Sequence, residues 1–325
     1  MKALVIGLGS IGTRHINNLY LLGMERLSAL RKRNHPFPKD VPKDVKYYSN
    51  YDEALQNPSD VVVIANPTAM HVPYAQKALK AGCHVYLEKP VSHSLDGVDR
   101  LLELQQNKNC VVQVGCQLRC HPQLVKIKEW INSGNLGTVH SVVADVGEYL
   151  PDWHPWEDYR TSYAARNDQG GGVILTMIHE FDYLYWFFGP LFVEHAIGMK
   201  RTSLEIDVED TALIALMSED GVPIHLRMDY WRRPPTRTLN IVAEKGEVSW
   251  DYHKKKLQVF SEGKLIEEDR LSEDWDWNEL FIDMMKDFLA AVNGNGSVCS
   301  SLNDGIEVLK LAVTAKDKIE IREIK

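Results

Sequence analysis

The sequence predicts an α/β chain of two domains, the first built on a doubly wound parallel sheet. Three observations predict it. A short apolar run, Ala3 to Ile6, leads straight into a complete G-x-G-x-x-G at Gly7, Gly9 and Gly12. Strand-like apolar runs then alternate with helical patterns up to residue 115, the signature of a parallel sheet. From residue 211 short runs follow one another across Asp220-Gly221, Lys245-Gly246 and Glu262-Gly263, which have hairpin chemistry.

The first strand is the buried run before the glycines, and Ile11, Ile16, Leu19 and Leu22 set a helical period directly after them. Gly7 permits the tight turn, Gly9 lets backbone approach a pyrophosphate, and Gly12 lets helix and strand pack closely. At Ser10 and Ile11 the helix start offers free N–H groups and its positive dipole end to phosphates. Dinucleotide binding follows; the alternative is a glycine-rich turn with no ligand. The second strand is Leu27 to Leu30. A carboxylate at its end binds the ribose of NAD, whereas cations accommodate the extra phosphate of NADP. No Asp or Glu occurs from Arg26 to Lys39, and the strand ends in Arg31-Lys32-Arg33. NADP(H) is therefore favoured through Arg31 and Lys32, with NAD(H) possible; an ordinary solvated basic turn is the alternative.

A short helix from Tyr51 precedes the buried strand Val61 to Ala65, which ends in Asn66-Pro67-Thr68 with His71 following. A helix through Tyr74, Ala78 and Leu79 leads to the strand His84 to Leu87, ending in Glu88-Lys89-Pro90. The helix Leu95 to Gln106 leads to a strand from Val111 to Gly115, with Gln117 just beyond. Ligands of such sheets bind at the carboxyl ends of the strands, which places Asn66, Lys89 and Gln117 on the rim of the glycine loop. Pro90 fixes the backbone beside Lys89 and can follow a cis bond. A lysine beside a nicotinamide ring could exchange a proton as hydride moves, if its pKa falls from about 10.4. A Lys89–Glu88 surface pair is the alternative.

The boundary is expected at 119/120, giving a dinucleotide-binding domain 1–119 and a substrate and assembly domain 120–325. A helix from Gln123 to Asn132 and a strand from Val139 to Gly147 open the second domain. The loop from Tyr149 to Arg160 then sets Trp153, His154, Trp156, Tyr159 and Arg160 among prolines. Polar aromatic loops suit sugars, whose C–H faces stack on rings; a large interdomain loop anchored by tryptophans is the alternative. His179 lies in the helical stretch Leu175 to Phe188, where a lone His is ordinarily a packed core residue. Strands are expected over 211–217, 224–230, 238–243, 247–251, 256–260 and 264–267. The arginines of Trp231-Arg232-Arg233-Pro234-Pro235 are rim charges or anion contacts. Helices 280–292 and 303–316 close the domain.

The 325 residues, 25% charged and 44% apolar, have an ordinary soluble composition. A net charge of −8 makes no case for nucleic acid or an anionic membrane. The longest aromatic-apolar stretch, Tyr183 to Val193, is broken by Gly189-Pro190 and too short to span a bilayer. Five cysteines without paired metal spacing read as reduced thiols in a cytoplasmic protein, with no metal site expected.

With these motifs the chain resembles the Gfo/Idh/MocA oxidoreductases, the family of glucose–fructose oxidoreductase and inositol dehydrogenase. The matching segments are GLGSIGTRH (7–15), VVVIANPTAMH (61–71), AGCHVYLEKP (81–90), VGCQLRCHP (114–122) and GGGVILTMIHEFD (170–182). The resemblance implies an N-terminal Rossmann domain and a C-terminal α+β domain with a large, mostly antiparallel open sheet that builds homodimers or homotetramers. It implies hydride transfer between NADP(H) or NAD(H) and a hydroxyl or keto carbon of a sugar, sugar acid or nucleotide sugar. Lys89 matches the family's active-site lysine and His179 its histidine. Glu88 and Pro90 would shape the nicotinamide pocket, Asn66, Pro67 and His71 would flank the cofactor, and Arg119 falls where an arginine often lies near the cleft. One departure matters: the aspartate many members carry four residues before the histidine is Leu175 here, with Thr176, Glu180 or Asp182 as substitutes. The loop WHPWEDYRTSYAARNDQGGG is most similar to members associated with nonulosonic-acid or surface-polysaccharide sugars. A cofactor-binding regulator without turnover and an NAD-dependent glycosidase are the alternatives; net cofactor turnover separates them from a dehydrogenase.

Overall fold

The apolar run after Lys2 forms β1 (Lys2–Ile6), buried from Ala3 onward. It lies at the centre of a six-stranded sheet in the computed structural model, which describes residues 1–31, 40–56, 58–201 and 203–319. Its partners are β2 (Arg26–Leu30), β3 (Lys46–Tyr48), β4 (Val61–Ile64), β5 (His84–Leu87) and β6 (Val112–Val114), in the order β3-β2-β1-β4-β5-β6. Every pairing is parallel: Val5 lies beside Ala29 on one side and Val63 on the other. The connections run one way from β1 to β3 and the other way from β4 to β6. This creates the topological switch at which such sheets bind ligands. The helix Ser10–Leu21 follows β1 and buries Gly12, His15, Ile16 and Leu19, a stripe at helical spacing that covers the sheet. The helix expected from Leu95 begins instead at Val98, because Gly97 ahead of it takes a left-handed conformation.

The chain divides into two units. Met1–Cys120 is joined by Trp277–Ile306, and His121–Asp276 is joined by the chain from Glu307 onward. Residues 277–306, placed in the second domain on sequence grounds, thus belong with the first. The reason is packing. The helix Asn278–Val292 buries Leu280, Met284, Met285 and Phe288. Phe288 meets Tyr86 of β5 edge-on, and Gln113 of β6 donates to the Met284 carbonyl at 2.7 Å.

The second unit holds an eight-stranded sheet of β7 (Val139–Gly147), β8 (Leu191–Met199), β9 (Thr211–Ser218), β10 (Pro223–Asp229), β11 (Thr236–Ala243), β12 (Gly246–Asp251), β13 (Lys256–Ser261) and β14 (Lys264–Arg270). Their order is β14-β13-β12-β11-β7-β10-β9-β8, antiparallel except for β7 with β10. On β9, Ala212, Ile214, Leu216 and Ser218 are buried while Leu213 points outward. The outward face also carries Phe192, Ile197, Val143 and Val242, all exposed. Among the described residues no helix is long and apolar enough to cross a membrane.

Candidate functional site

In the first unit the carboxyl ends of β1, β4, β5 and β6 share one edge, and the glycine loop lies on it. The Gly7 N–H donates to the Leu30 carbonyl, and the Ala65 N–H to the Ile6 carbonyl. Gly7 has φ +88°, and a Cβ there would come within 2.7 Å of the Ala65 carbonyl oxygen. A Cβ at Gly12 would overlap the Gly7 carbonyl oxygen. Protein packing therefore explains these two glycines. Gly9 is different: a Cβ there would meet nothing within 4 Å, and its φ of −73° suits any residue. The space above Gly9 is open, as close approach of a pyrophosphate requires. The helix beginning at Ser10 has no side-chain cap and no acidic residue in its first turn, so its N-terminal donors remain available to an anion.

Asn66, immediately after β4, adds a second sign. Both polar atoms of its side-chain amide are buried without a hydrogen-bond partner among the described residues. The buried Oε1 of Gln117, beyond β6, is in the same condition. Buried amides of this kind are costly unless something satisfies them. An open glycine, an uncapped helix start, the unsatisfied Asn66 amide and the unsatisfied Gln117 Oε1 along one edge fit a dinucleotide. Arg31 follows the last residue of β2, with its N–H bonded to the Tyr48 carbonyl; Lys32 lies outside the described residues.

Lys89 is half-buried and joined to Pro90 by a cis peptide bond, as the sequence had allowed. It is held from both sides by buried histidines. On one side, the Glu88 carboxylate turns inward, 2.6 Å from His15 Nε2, and its other oxygen accepts from the Lys89 N–H at 3.3 Å. The lack of a side chain at Gly115 makes room for that carboxylate. Glu88 is only 6% exposed, and its carboxylate faces His15 inside the fold rather than the surface. On the other side, the two ring nitrogens of His71 lie 2.7 Å from the Pro90 carbonyl and 2.9 Å from the Asn66 carbonyl. Burial pushes the His71 pKa down, against the pull of those two carbonyls. His71 thus ties the loop after β4 to the loop after β5. Sequence reading gave no role to His15, though its spacing of three from Gly12 and four from Leu19 marks the inward face of the helix.

Arg119 is also turned inward. Its guanidinium donates at 3.0 Å to the Cys299 carbonyl and at 3.0 Å to Asp304, all within the first unit.

In the second unit the helical stretch expected over 175–188 is two helices, Val173–Thr176 and His179–Phe188. His179, 5% exposed, is the first residue of the second. Gly172, with φ +103°, turns the chain into the first helix, where any Cβ would overlap the Glu209 carboxylate. That carboxylate accepts from the Ile174 N–H at 3.3 Å. Burial pushes the Glu209 carboxyl up. The Thr176 hydroxyl donates to the Gly172 carbonyl and also contacts the Tyr230 hydroxyl. Glu180 is fully buried and accepts from Arg237 at 2.7 Å; burial pushes its pKa up, against the pull of the guanidinium. Asp182 is fully buried too.

The aromatic loop divides in character. Trp153 meets Tyr230 at 90°, and both Trp153 Nε1 and His154 Nδ1 are buried without partners among the described residues. Trp156 is 74% exposed. Tyr159 accepts through its hydroxyl from the Glu205 N–H, and Arg160 is committed to Asp158 and Glu205. Arg233 similarly pairs with Asp152 and lies over the Tyr149 ring.

Comparison with known proteins bears on both units. Residues 1–116 match the oxidoreductase family with an NAD-binding Rossmann fold, and residues 124–249 match the GFO/IDH/MocA C-terminal domain. An uncharacterized oxidoreductase of Synechocystis is 30% identical over 242 residues, 69% of this chain and 64% of that protein. The myo-inositol 2-dehydrogenase of Thermotoga maritima is 27% identical over 68% of this chain and 66% of its own length. The chain thus spans just under two thirds of the length of these curated relatives. Among solved structures, UDP-N-acetylglucosamine 3-dehydrogenase from Acidithiobacillus ferrooxidans superimposes with a TM-score of 0.80 over 98% of each chain at 22% identity, a likeness of fold.

Proposed function

This chain belongs to the Gfo/Idh/MocA oxidoreductase family, and from that premise we propose that it transfers hydride between a nicotinamide dinucleotide and a carbinol or keto carbon of a sugar, sugar acid or nucleotide sugar. The observation that carries the proposal is the edge of the first sheet, where the open space at Gly9 and the unsatisfied Asn66 amide lie beside the switch point. Gly7, Gly9, Ser10, Ile11 and Gly12 hold the pyrophosphate, Asn66, Pro67 and Gln117 line the cofactor, and Pro90 closes its pocket. The bound nicotinamide supplies or accepts the hydride. Lys89 and His179 exchange the proton of the reacting hydroxyl and stabilise charge on its oxygen. Glu88, His15 and His71 act through Lys89 by fixing its backbone. Trp153, His154, Trp156, Tyr159, Arg160, Arg119 and Asp182 are proposed to supply substrate contacts. Of these, Arg119 and Arg160 must exchange carboxylate partners to do so, and Asp182, fully buried, must become accessible. The inositol and UDP-N-acetylglucosamine dehydrogenases among its relatives support a polyhydroxylated substrate. The test is a screen of polyols, sugars and nucleotide sugars with both cofactors, following nicotinamide absorbance. Net turnover with one of them is expected; cofactor binding without turnover on any would leave a regulator.

The finer reading of the cofactor is a preference for NADP(H). It rests on the absence of any carboxylate from Arg26 to Lys39 and on Arg31 at the end of β2. Charge-assisted hydrogen bonds are worth about 1.5–3 kcal/mol each. Two such contacts allow a preference on the order of a hundredfold, which added salt narrows. Arg31→Asp is expected to reverse the preference in a fluorescence titration with both cofactors. Tighter NAD(H) binding by the wild type would reduce the basic turn to a solvated surface.

We also propose a homo-oligomer, a dimer or tetramer, built on the outward face of the eight-stranded sheet. Ile197 and Leu213 are neighbours in register there and both are exposed. Exposed apolar clusters of this kind mark association surfaces. Ile197→Glu with Leu213→Glu should convert the assembly to monomer in sedimentation velocity, while unchanged mass would exclude this face.

A further inference from the structure

The most unusual side-chain cluster outside the proposed site lies in the first unit. Cys120 ends the turn Gln117–Cys120, Asp287 lies on the helix Asn278–Val292, and Cys299 precedes the helix Leu302–Asp317. Sequence spacing could not reveal this cluster, since 179 positions separate the two cysteines. Their sulfurs lie 4.0 Å apart, and one ligand atom from each of the three residues falls within 4.8 Å of the others. Cys120 and Cys299 are half-buried and Asp287 is exposed, so solvent reaches the cluster.

From this geometry we propose that Cys120, Cys299 and Asp287 form a binding site for a thiophilic divalent cation, Zn²⁺ by preference. Two thiolate ligands at Zn–S distances of about 2.3 Å on a tetrahedral ion are separated by about 3.8 Å, close to the sulfur spacing found here. A carboxylate oxygen supplies the third position and water the fourth. Paired thiolates select zinc over magnesium or calcium, which take oxygen ligands. The binding step balances without redox change: each thiol releases one proton to solvent, two Zn–S bonds and one Zn–O bond form, and water leaves the hydrated ion. The Arg119 guanidinium donates to the Cys299 carbonyl and so holds the backbone of one ligand in place. The bound ion would clip the returning segment 277–306 to the end of the first segment, beside Gln117. Because only the folded chain brings the three ligands together, binding stabilises it by mass action.

The test uses the full chain, reduced and stripped with a chelator, and titrated with Co²⁺ and then Zn²⁺. One equivalent of Co²⁺ should give a thiolate-to-cobalt charge-transfer band, which Zn²⁺ abolishes by displacement. Zn²⁺ should also shield two of the five thiols from a thiol reagent and raise Tm. Cys299→Ser should remove the charge-transfer band. Asp287→Asn changes only an exposed side chain and cannot be dismissed as a folding failure. It should keep the band but weaken the affinity by about tenfold or more, the range in which lost metal-site partners fall. Absence of the band, or its persistence unchanged in Cys299→Ser, would overturn the proposal. So would a Cys120–Cys299 disulfide that forms equally fast with and without Zn²⁺.

Discussion

Lys89→Met should lower turnover by about 10²-fold or more while leaving cofactor affinity within a few-fold of wild type, since lost general acid–base help typically costs 10²–10⁴-fold. Methionine replaces the half-buried stem and removes only the ammonium, so the substitution tests charge rather than packing. The peptide around Lys89 is fixed by groups the substitution leaves alone: Glu88 on His15, and Pro90 on His71. The fold and the cofactor edge should therefore survive, as circular dichroism and a cofactor titration would show. His179→Ala should cost a similar factor. If both residues serve the same proton, the double variant should be little worse than either single one, because groups acting as a unit are strongly non-additive. Near-normal turnover in Lys89→Met would remove it from the chemistry. A purely positional role for Lys89 would instead move KM and leave kcat near wild type.

Most of the first sheet was legible because its strands are continuous buried runs bounded by turn residues. Val61–Ile64 and His84–Leu87 could be nothing else. β3 (Lys46–Tyr48) left no such mark: it is a three-residue edge strand, largely exposed, with no apolar alternation. In the second unit the hairpin glycines placed six strands within two or three residues of where they lie. β8 escaped notice because a register shift between Val193 and His195 puts Glu194 and His195 outward in succession, which breaks the period of two. The stretch 175–188 reads as one apolar helix by periodicity, yet it breaks at Met177–Ile178, where Glu209 and Tyr230 hold the preceding turn. Those partners lie 35 and 54 residues away, and local pattern carries no trace of them. The candidate site divides in the same way. Its glycines and its Glu88-Lys89-Pro90 segment announce themselves locally. The buried histidine that holds Glu88 and the committed carboxylate partners of Arg119 and Arg160 depend on long-range folding.

The glycine motif offers the sharpest separation of stability from function. Gly9→Ala should leave stability within about 0.5 kcal/mol of wild type, or raise it slightly by restricting the unfolded chain. The added methyl group meets nothing in the protein, and the backbone there is already extended. Cofactor affinity should nevertheless fall about 10–100-fold, because the methyl occupies the space through which backbone donors reach the pyrophosphate, and each such charge-assisted bond is worth about 1.5–3 kcal/mol. Gly12→Ala should behave in the opposite order. Helix propensity favours alanine by about 1 kcal/mol, but its Cβ would overlap the Gly7 carbonyl oxygen, which belongs to backbone and cannot swing away. Overpacking costs about 1–3 kcal/mol even where side chains can yield, and more against a fixed backbone. The net effect is therefore destabilising, and a lower denaturation midpoint should precede any measurement of binding. Urea unfolding and cofactor fluorescence titration on both variants decide the matter. A Gly9→Ala protein that binds nicotinamide dinucleotides as tightly as wild type would mean that the open space above Gly9 is not where the pyrophosphate lies. The cofactor edge would then have to be sought elsewhere in the fold.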